Sequence, residues 1–557
     1  MIRQSMKYLT VLALALGAAT GCQDLDIVNT NDPDRDRALA NAEDLQSLVA
    51  GGFNIWFAAL HAQSAANHFT NYATEFTSTT NLWGYWVESQ EPRGPHGNLV
   101  SIPAGIGPHG PRNLWSALLE VTSAADDLMR ATTEGQTPVL IVIDGVDQTP
   151  RAQAFAKFMQ GMSWGYSALM FDQAMVIPDD EPFPITNEEG RERIIPSAAV
   201  LEAALEAFDA ARTIVQANPG ITFPSRSASS LWFGTPSTMT SDQFLQLINT
   251  MSARLIVLNA RTPEERAQVD WQRVLQLTTN GVTSDVEVQL DANRESLLYL
   301  SAQNETPGCI SCFRWDTRLI GQSDISGAYQ AWIAADVADR NKFNIVTPDR
   351  RITGPTPTSA GAYTRWLATD GCCQATRGLY YRSAYQWRRH AHREGVSDTG
   401  YQQGVARLAT VDENRLYQAE AHLHLNNMEQ ARDLINVTRT RSHTLPDGVT
   451  YPGLPPVTVD GAPHSAPGAD DCVPRTDSGA CGNLHVALRY ERMIENAGID
   501  SVRGYADSRG FGLLPTGSYY HLPVPANEAV ALEMDIYTFG GQPGSPGTAT
   551  YAPVGNP

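Results

Sequence analysis

Leu45, Leu48, Val49, Gly52, Phe53 and Trp56 line one face of a helix with about 3.6 residues per turn, and this apolar spacing returns along much of the chain. It recurs at Leu114, Leu118, Val121, Ala125 and Leu128, then at Phe155, Phe158, Met162, Tyr166 and Leu169. Further amphipathic stretches lie at 201–215, 244–258 and 269–277. Leu416, Ala419 and Leu423 precede an Asn426-Asn427 turn, after which Met428, Ala431, Leu434 and Ile435 resume the pattern, so this block reads as an antiparallel helix pair. Small residues at its inner positions, Ala419, Ala421 and Ala431, allow close approach, as in tetratricopeptide units. About four such pairs are expected, in a mainly α chain.

The pairs are irregularly spaced. Between them lie long Gly/Pro/aromatic segments at about 63–111, 280–407 and 442–484, and segments of that length are functional or disordered. Tryptophans and tyrosines in the first two favour order; the third, with few aromatics, reads as a variable insertion. With 42% hydrophobic residues the chain has ample material for a core, and residues 38–557 are expected to form one domain, with helix pairs at about 38–280 and 408–500.

The N-terminus has a different grammar. Arg3 and Lys7 precede the apolar run Tyr8–Leu16, which is too short to span a bilayer, and Gly17-Ala18-Ala19-Thr20-Gly21 brings small residues up to Cys22. Residues 1–21 read as a signal peptide and Cys22 as the lipid-attachment site of a lipoprotein, with 22–37 as a polar tether. Several acyl chains on that cysteine would hold the protein at a membrane, the lipid being its sole membrane contact. The formal charge is −20, and Lys7, Lys157 and Lys342 are the only lysines, which argues against a nucleic-acid partner.

Six cysteines remain once Cys22 carries lipid, an even number that favours disulfides in an oxidising compartment. Cys472 with Cys481 would close a short loop, while Cys309, Cys312 and the adjacent Cys372 and Cys373 either oxidise or form a four-thiolate site, oxidation being the favoured reading. Asp32, Asp34, Asp36 and Glu43 fall at positions 1, 3, 5 and 12 of a calcium-loop pattern, but position 6 is Arg37 and Pro33 interrupts it, so a solvated leader and a helix start are expected. The two-apart pairs His390/His392 and His422/His424 do not share a helix face, which favours surface or packing roles. No metal or cofactor is expected.

Four stretches, in order along the chain, carry a resemblance to a known family. The first runs from Asp24 to Pro33 behind the lipid cysteine, with Asp44-Leu45 and Ala50-Gly51-Gly52-Phe53 following. Ala156 to Tyr166, running on to Pro178, is the second; Asn414-Arg415-Leu416-Tyr417-Gln418-Ala419-Glu420-Ala421, with Ile435-Asn436 and Arg439 to Arg441, is the third. The fourth is Glu491-Arg492 and Glu495, then Arg509-Gly510-Phe511-Gly512 and Leu522-Pro523-Val524-Pro525 with Glu528. Where the family often carries a Phe-Asp-Leu-Arg-like stretch, this chain has Gly504-Tyr505-Ala506-Asp507-Ser508-Arg509, the mark of a divergent branch. Together these stretches resemble the SusD/RagB-like outer-membrane nutrient-binding lipoproteins, and the resemblance implies tetratricopeptide-like pairs docked on a SusC-type TonB-dependent barrel. It also implies outer-membrane, surface-exposed localisation and capture of a glycan or oligopeptide for uptake.

Sugars present C–H faces ringed by hydroxyls, so their sites need aromatic platforms beside hydrogen-bonding groups. Trp83, Tyr85 and Trp86 in the first irregular segment and Trp315, Trp366, Tyr380, Tyr381 and Trp387 in the second are the candidates, against the alternative that such rings pin the loops to the helical body. Trp56, Trp115 and Trp164, on helices, read as core. No Gly-x-Ser-x-Gly elbow, His-Glu-x-x-His helix or Gly-rich lysine loop is present, so a non-enzymatic binder is expected. The rivals are a surface glycosidase or peptidase and a surface adhesin or scaffold.

Overall fold

The computed structural model describes residues 41–62, 65–78, 88–98, 111–133, 138–179, 181, 186–226, 232–290, 313–368, 381–389, 404–466 and 468–541. The signal peptide, Cys22, Asp32, Asp34 and Asp36 lie outside this set, as do Cys309, Cys312, Cys372, Cys373, His390 and His392.

The expected periodicity forms helices, and two further helices, Ala65–Tyr72 inside the first irregular segment and Ser501–Gly510, join them. They are α1 (Ala42–Phe57), α2 (Ala65–Tyr72), α3 (Pro111–Thr133), α4 (Thr149–Met170), α5 (Ser197–Ala217), α6 (Ser241–Leu258) and α7 (Trp271–Thr279). After the second irregular segment come α8 (Val411–His424), α9 (Met428–Arg439), α10 (Leu484–Asn496) and α11 (Ser501–Gly510). Local chemistry sets their starts. Asn41 accepts from the amides of Glu43 and Asp44 to cap α1, which makes Glu43 a first-turn residue complementing the helix dipole. Thr240 and Gln243 form a capping box on α6, and Thr410 caps α8.

The helices stack as four pairs, α1/α3, α4/α5, α6/α7 and α8/α9, with α10 closing against the last and α2 packing on α11. The fold is mainly α. Between Ala152 and Met170, α4 is buried on nearly every side, which places it at the centre of the stack. Two glycines make this possible: a Cβ at Gly161 would run into Phe208 of α5, and one at Gly165 into Leu255 of α6. In the α8/α9 turn Asn426 adopts φ 61°, a left-handed conformation that asparagine tolerates, and Asn427 donates its amide to the His422 carbonyl at 2.8 Å.

One apolar cluster runs from Leu45 to Phe539 and includes Trp56, Trp115 and Trp164; a second, built on Leu416, Ala419, Ile435 and Leu488, lies between α8, α9 and α10. The irregular segments are tied to this body by short antiparallel ladders. Val286–Leu290 pairs with Gly404–Ala409, closing the neck of the second segment, and Phe76–Thr77 pairs with Arg314–Trp315. The third segment is pinned to α9. Asn436 bonds Val457 through both its amide oxygen and nitrogen, and Arg439 Nε donates to the Pro455 carbonyl at 2.6 Å. No helix among the described residues is long and apolar enough to cross a membrane.

Candidate functional site

Helices α10 and α11 carry a lattice of buried charge that holds the loop-rich side against the helix pairs. Glu491 accepts from Arg351 at 2.6 and 2.9 Å and from the Thr438 hydroxyl at 3.1 Å. Glu495 accepts from Arg351 at 2.9 Å and pairs with Arg389 at 2.6 Å. Arg492 turns the other way, to Glu420 and to Asp507, which also receives Arg266 at 3.1 Å and Arg503 at 3.0 Å. Burial alone would raise the Asp507 carboxyl, but Arg492, Arg266 and Arg503 hold it below its ordinary range. Likewise Arg351 brings Asp349 down to about 2 against the effect of burial. Among helix pairs, Arg254 of α6 grips Glu413 of α8 at 2.8 and 2.7 Å and donates to Tyr166 of α4 at 2.9 Å.

Beside this lattice lies a cavity of about 580 Å³, walled by the second segment, by the 476–478 turn, by α10 and by the residues after α11. Its polar wall is built from several elements. Asp316 caps the helix Thr317–Gly321, accepting from the Arg318 amide at 2.9 Å and the Thr77 hydroxyl at 2.6 Å. Arg318 Nε sits 3.3 Å from the same carboxylate, and its guanidinium lies 3.8 Å from the centre of the Tyr381 ring. Arg340 pairs with Glu91 at 3.3 Å and lies 4.9 Å from the Trp332 ring centre. The Tyr329 hydroxyl donates to Asp477 at 3.1 Å; burial, reinforced by that carboxylate, raises its pKa. Arg489 of α10 reaches the cavity with Nε buried and without an acceptor among the described residues. Burial lowers its proton affinity, and Asp477 opposes that effect.

A larger hollow, about 700 Å³, opens between α5, α6 and α7, but no aromatic ring lines it. Its polar groups satisfy one another: Arg212 donates to Asn249 at 3.1 Å, and Asn249 to the Asn280 carbonyl at 2.8 Å. The cavity beside α10 therefore has the better chemistry for a ligand.

The aromatic candidates separate. Trp315 and Trp387 are fully buried and Tyr381 is 1% exposed. Phe76 contacts both tryptophans, with ring centroids 5.1 Å from Trp315 and 5.3 Å from Trp387, so these rings join the two irregular segments from inside. Tyr381 backs the cavity through its contact with Arg318. Trp366 is half-buried on the strand Thr364–Trp366, its indole donating to Asn344 at 3.1 Å, and does not line the cavity. Trp83, Tyr85, Trp86 and Tyr380 lie outside the described residues.

Cys472 and Cys481 form a disulfide. His464 approaches Cys481 Sγ to 3.6 Å, but both sulfurs are committed to each other. His424 stacks on Trp271 with centroids 4.2 Å apart, a packing role, and His422 takes part in the α8/α9 turn through Asn427. The arginines of the cavity, Arg318, Arg340 and Arg489, escape a search directed at loop aromatics. The available signal was Arg489 itself, a guanidinium between the buried residues Leu488 and Tyr490 in a strongly acidic chain.

Stacked helix pairs carrying a loop-rich side with its own cavity define a class of mainly α ligand-pocket scaffold. Within that class the fold is SusD-like. A SusD superfamily protein from Parabacteroides distasonis is 10% identical and superposes over 84% of this chain and 88% of its own, with a TM-score of 0.50. Also similar are a SusD superfamily protein from Bacteroides vulgatus (14% identity, 86% and 89% coverage, TM-score 0.47) and a SusD-like carbohydrate-binding protein from Bacteroides fragilis (13%, 85% and 86%, 0.48). No protein-family profile and no curated protein sequence matches the chain.

Proposed function

We propose that this chain is a non-enzymatic capture lipoprotein of the outer membrane, tethered at the cell surface through Cys22. It binds an oligosaccharide and passes it to a SusC-type TonB-dependent transporter. The observation that carries this reading is the SusD-like fold with a cavity of about 580 Å³ on its loop-rich side. Pockets of that size take a ligand of a few sugar rings. The helix pairs supply a rigid body for docking on a barrel, and the lipid tether keeps the domain at high effective concentration there.

A binding role also accords with the state of the carboxylates. Glu413, Glu420, Glu491, Glu495 and Asp507 are each engaged by arginine, which suits them to holding the fold rather than to moving protons. The proposed single domain spans 38–557. Trp83, Tyr85, Trp86, Trp366 and Tyr380 are the proposed ligand platforms, whereas Trp315, Tyr381 and Trp387 are buried and serve as pins of the irregular segments.

The test is extraction of the native protein in mild detergent, followed by identification of co-purifying chains and calorimetry against a glycan panel with oligopeptides alongside. Co-purification of a TonB-dependent barrel and saturable glycan binding without turnover are expected. Failure to bind any glycan overturns the reading; so does cleavage of a bound one.

A further inference from the structure

We infer that the cavity beside α10 selects an acidic saccharide, one whose carboxylate or sulfate is met by Arg489; this rests on the capture reading above. Three guanidiniums, those of Arg318, Arg340 and Arg489, line the same cavity in a chain of net charge −20. Two of them are spoken for. Arg340 meets Glu91 at 3.3 Å, and Arg318 meets Asp316 at 3.3 Å while covering the Tyr381 ring. Arg489 differs in having no carboxylate within ion-pairing distance among the described residues; its Nε, like the Nη2 of Arg318, is buried without an acceptor.

Glu91 and Asp477 are the carboxylates of the cavity wall, and both are engaged, Glu91 by Arg340 and Asp477 by the Tyr329 hydroxyl at 3.1 Å. Asp477 therefore tempers the charge of Arg489 without satisfying its donors. A buried Nε–H lacking an acceptor is unfavourable unless an incoming group supplies one. The group that fits is a pair of oxygens sharing a negative charge, because the guanidinium fork donates two parallel N–H bonds to such a pair. Ile333, Met493, Phe511 and Leu513 on the same walls offer apolar surface to the C–H faces of a sugar ring. A guanidinium left without an ion-pair partner also answers a physical difficulty, since the field of an acidic protein repels an anionic ligand and an unpaired cation attracts it at short range.

The experiment is calorimetry on the detergent-purified full chain with three probes: a uronic-acid tetrasaccharide, the same tetrasaccharide after carboxyl reduction, and a sulfated oligosaccharide of matching length. The acidic probes are expected to bind about tenfold or more tightly than the reduced one, with a preference that shrinks at high salt. Which acidic probe binds better identifies the oxyanion. R489Q should abolish the preference and R489K retain part of it, while the melting temperature of R489Q stays level or rises because an unpaired buried charge has gone. Equal binding of acidic and reduced probes overturns the inference and leaves glycan capture standing. Retention of the preference in R489Q overturns it too, as does a fall in melting temperature with the preference unchanged. If no saccharide of any kind binds, the capture reading falls and this inference with it.

Discussion

Arg492 of α10 and Asp507 of α11 meet at 2.7 Å in the fully buried interior, and the same arginine reaches Glu420 of α8, so one side chain ties three helices together. Its guanidinium also lies 4.0 Å from the Tyr417 ring centre. Taking charges out of water is unfavourable, and this arrangement persists because each carboxylate faces a guanidinium. Removing one member leaves the others buried and uncompensated. Arg492→Leu is expected to destabilise the protein by about 3–5 kcal/mol, read as a shift in the urea midpoint. A shift under about 1 kcal/mol would show that water or Arg266 takes over.

Gly161 and Gly51 are both helical glycines with opposite surroundings. A Cβ at Gly161 meets the Phe208 ring, whereas nothing lies within 4 Å of one at Gly51. Gly161→Ala should therefore cost about 1–3 kcal/mol through overpacking between α4 and α5. Gly51→Ala should instead stabilise by roughly 1 kcal/mol, because alanine restricts the unfolded chain and favours helix. Thermal melts of the two variants check the contrast in sign.

Much of this architecture was legible in the chain. The stripe from Leu45 to Trp56 and the Asn426-Asn427 turn carry their meaning locally, since helical period and left-handed tolerance depend on neighbours in sequence. The ladder Val286–Leu290 was also visible in principle, its Val286, Val288 and Leu290 alternating with Glu287 and Gln289, yet it sits inside a segment that reads as loop. Two-residue strands such as Arg314–Trp315 have no period to read. The site was harder still. Whether Trp387 faces a ligand or the interior is decided by Phe76, more than three hundred residues earlier. The significance of Arg489 depends on Asp477 and Tyr329 already being engaged with each other.

Glu75 makes stability depend on pH in an unusual direction. Burial raises its carboxyl from 4.5 to about 8, with Arg503, 3.4 Å away, pulling only partly against that effect. Asp500 and Asp507 add to the rise, and Arg503 keeps Asp507 as its partner at 3.0 Å. The folded state therefore binds this proton more tightly than the unfolded state does. The resulting stability is fully present below about pH 4.5 and is lost as pH rises through about 8. Chemical denaturation from pH 5 to 9 should show Glu75→Gln losing less stability than the parent over that window. Parallel curves for the two proteins would place the titrating group elsewhere.

Trp366 and Trp387 stand on paired strands but on different sides of the question of ligand binding. Trp387 is fully buried, touches Phe76 and leaves no room for a Cβ at Gly498, so it acts as a pin between the irregular segments. Trp366 is half-buried and held by Asn344, which orients the ring without enclosing it. Large aromatics removed from a core cost about 3–5 kcal/mol, so Trp387→Ala should lower the melting temperature and impair binding only as far as it impairs folding. Trp366→Ala should have little effect on the melt yet weaken glycan binding by about 1–3 kcal/mol, the range set by a lost stacking surface. Calorimetry and melts on both variants separate the roles. If Trp366→Ala binds every glycan as tightly as the parent, that ring is a loop pin like Trp387 and the platform lies among the other candidates.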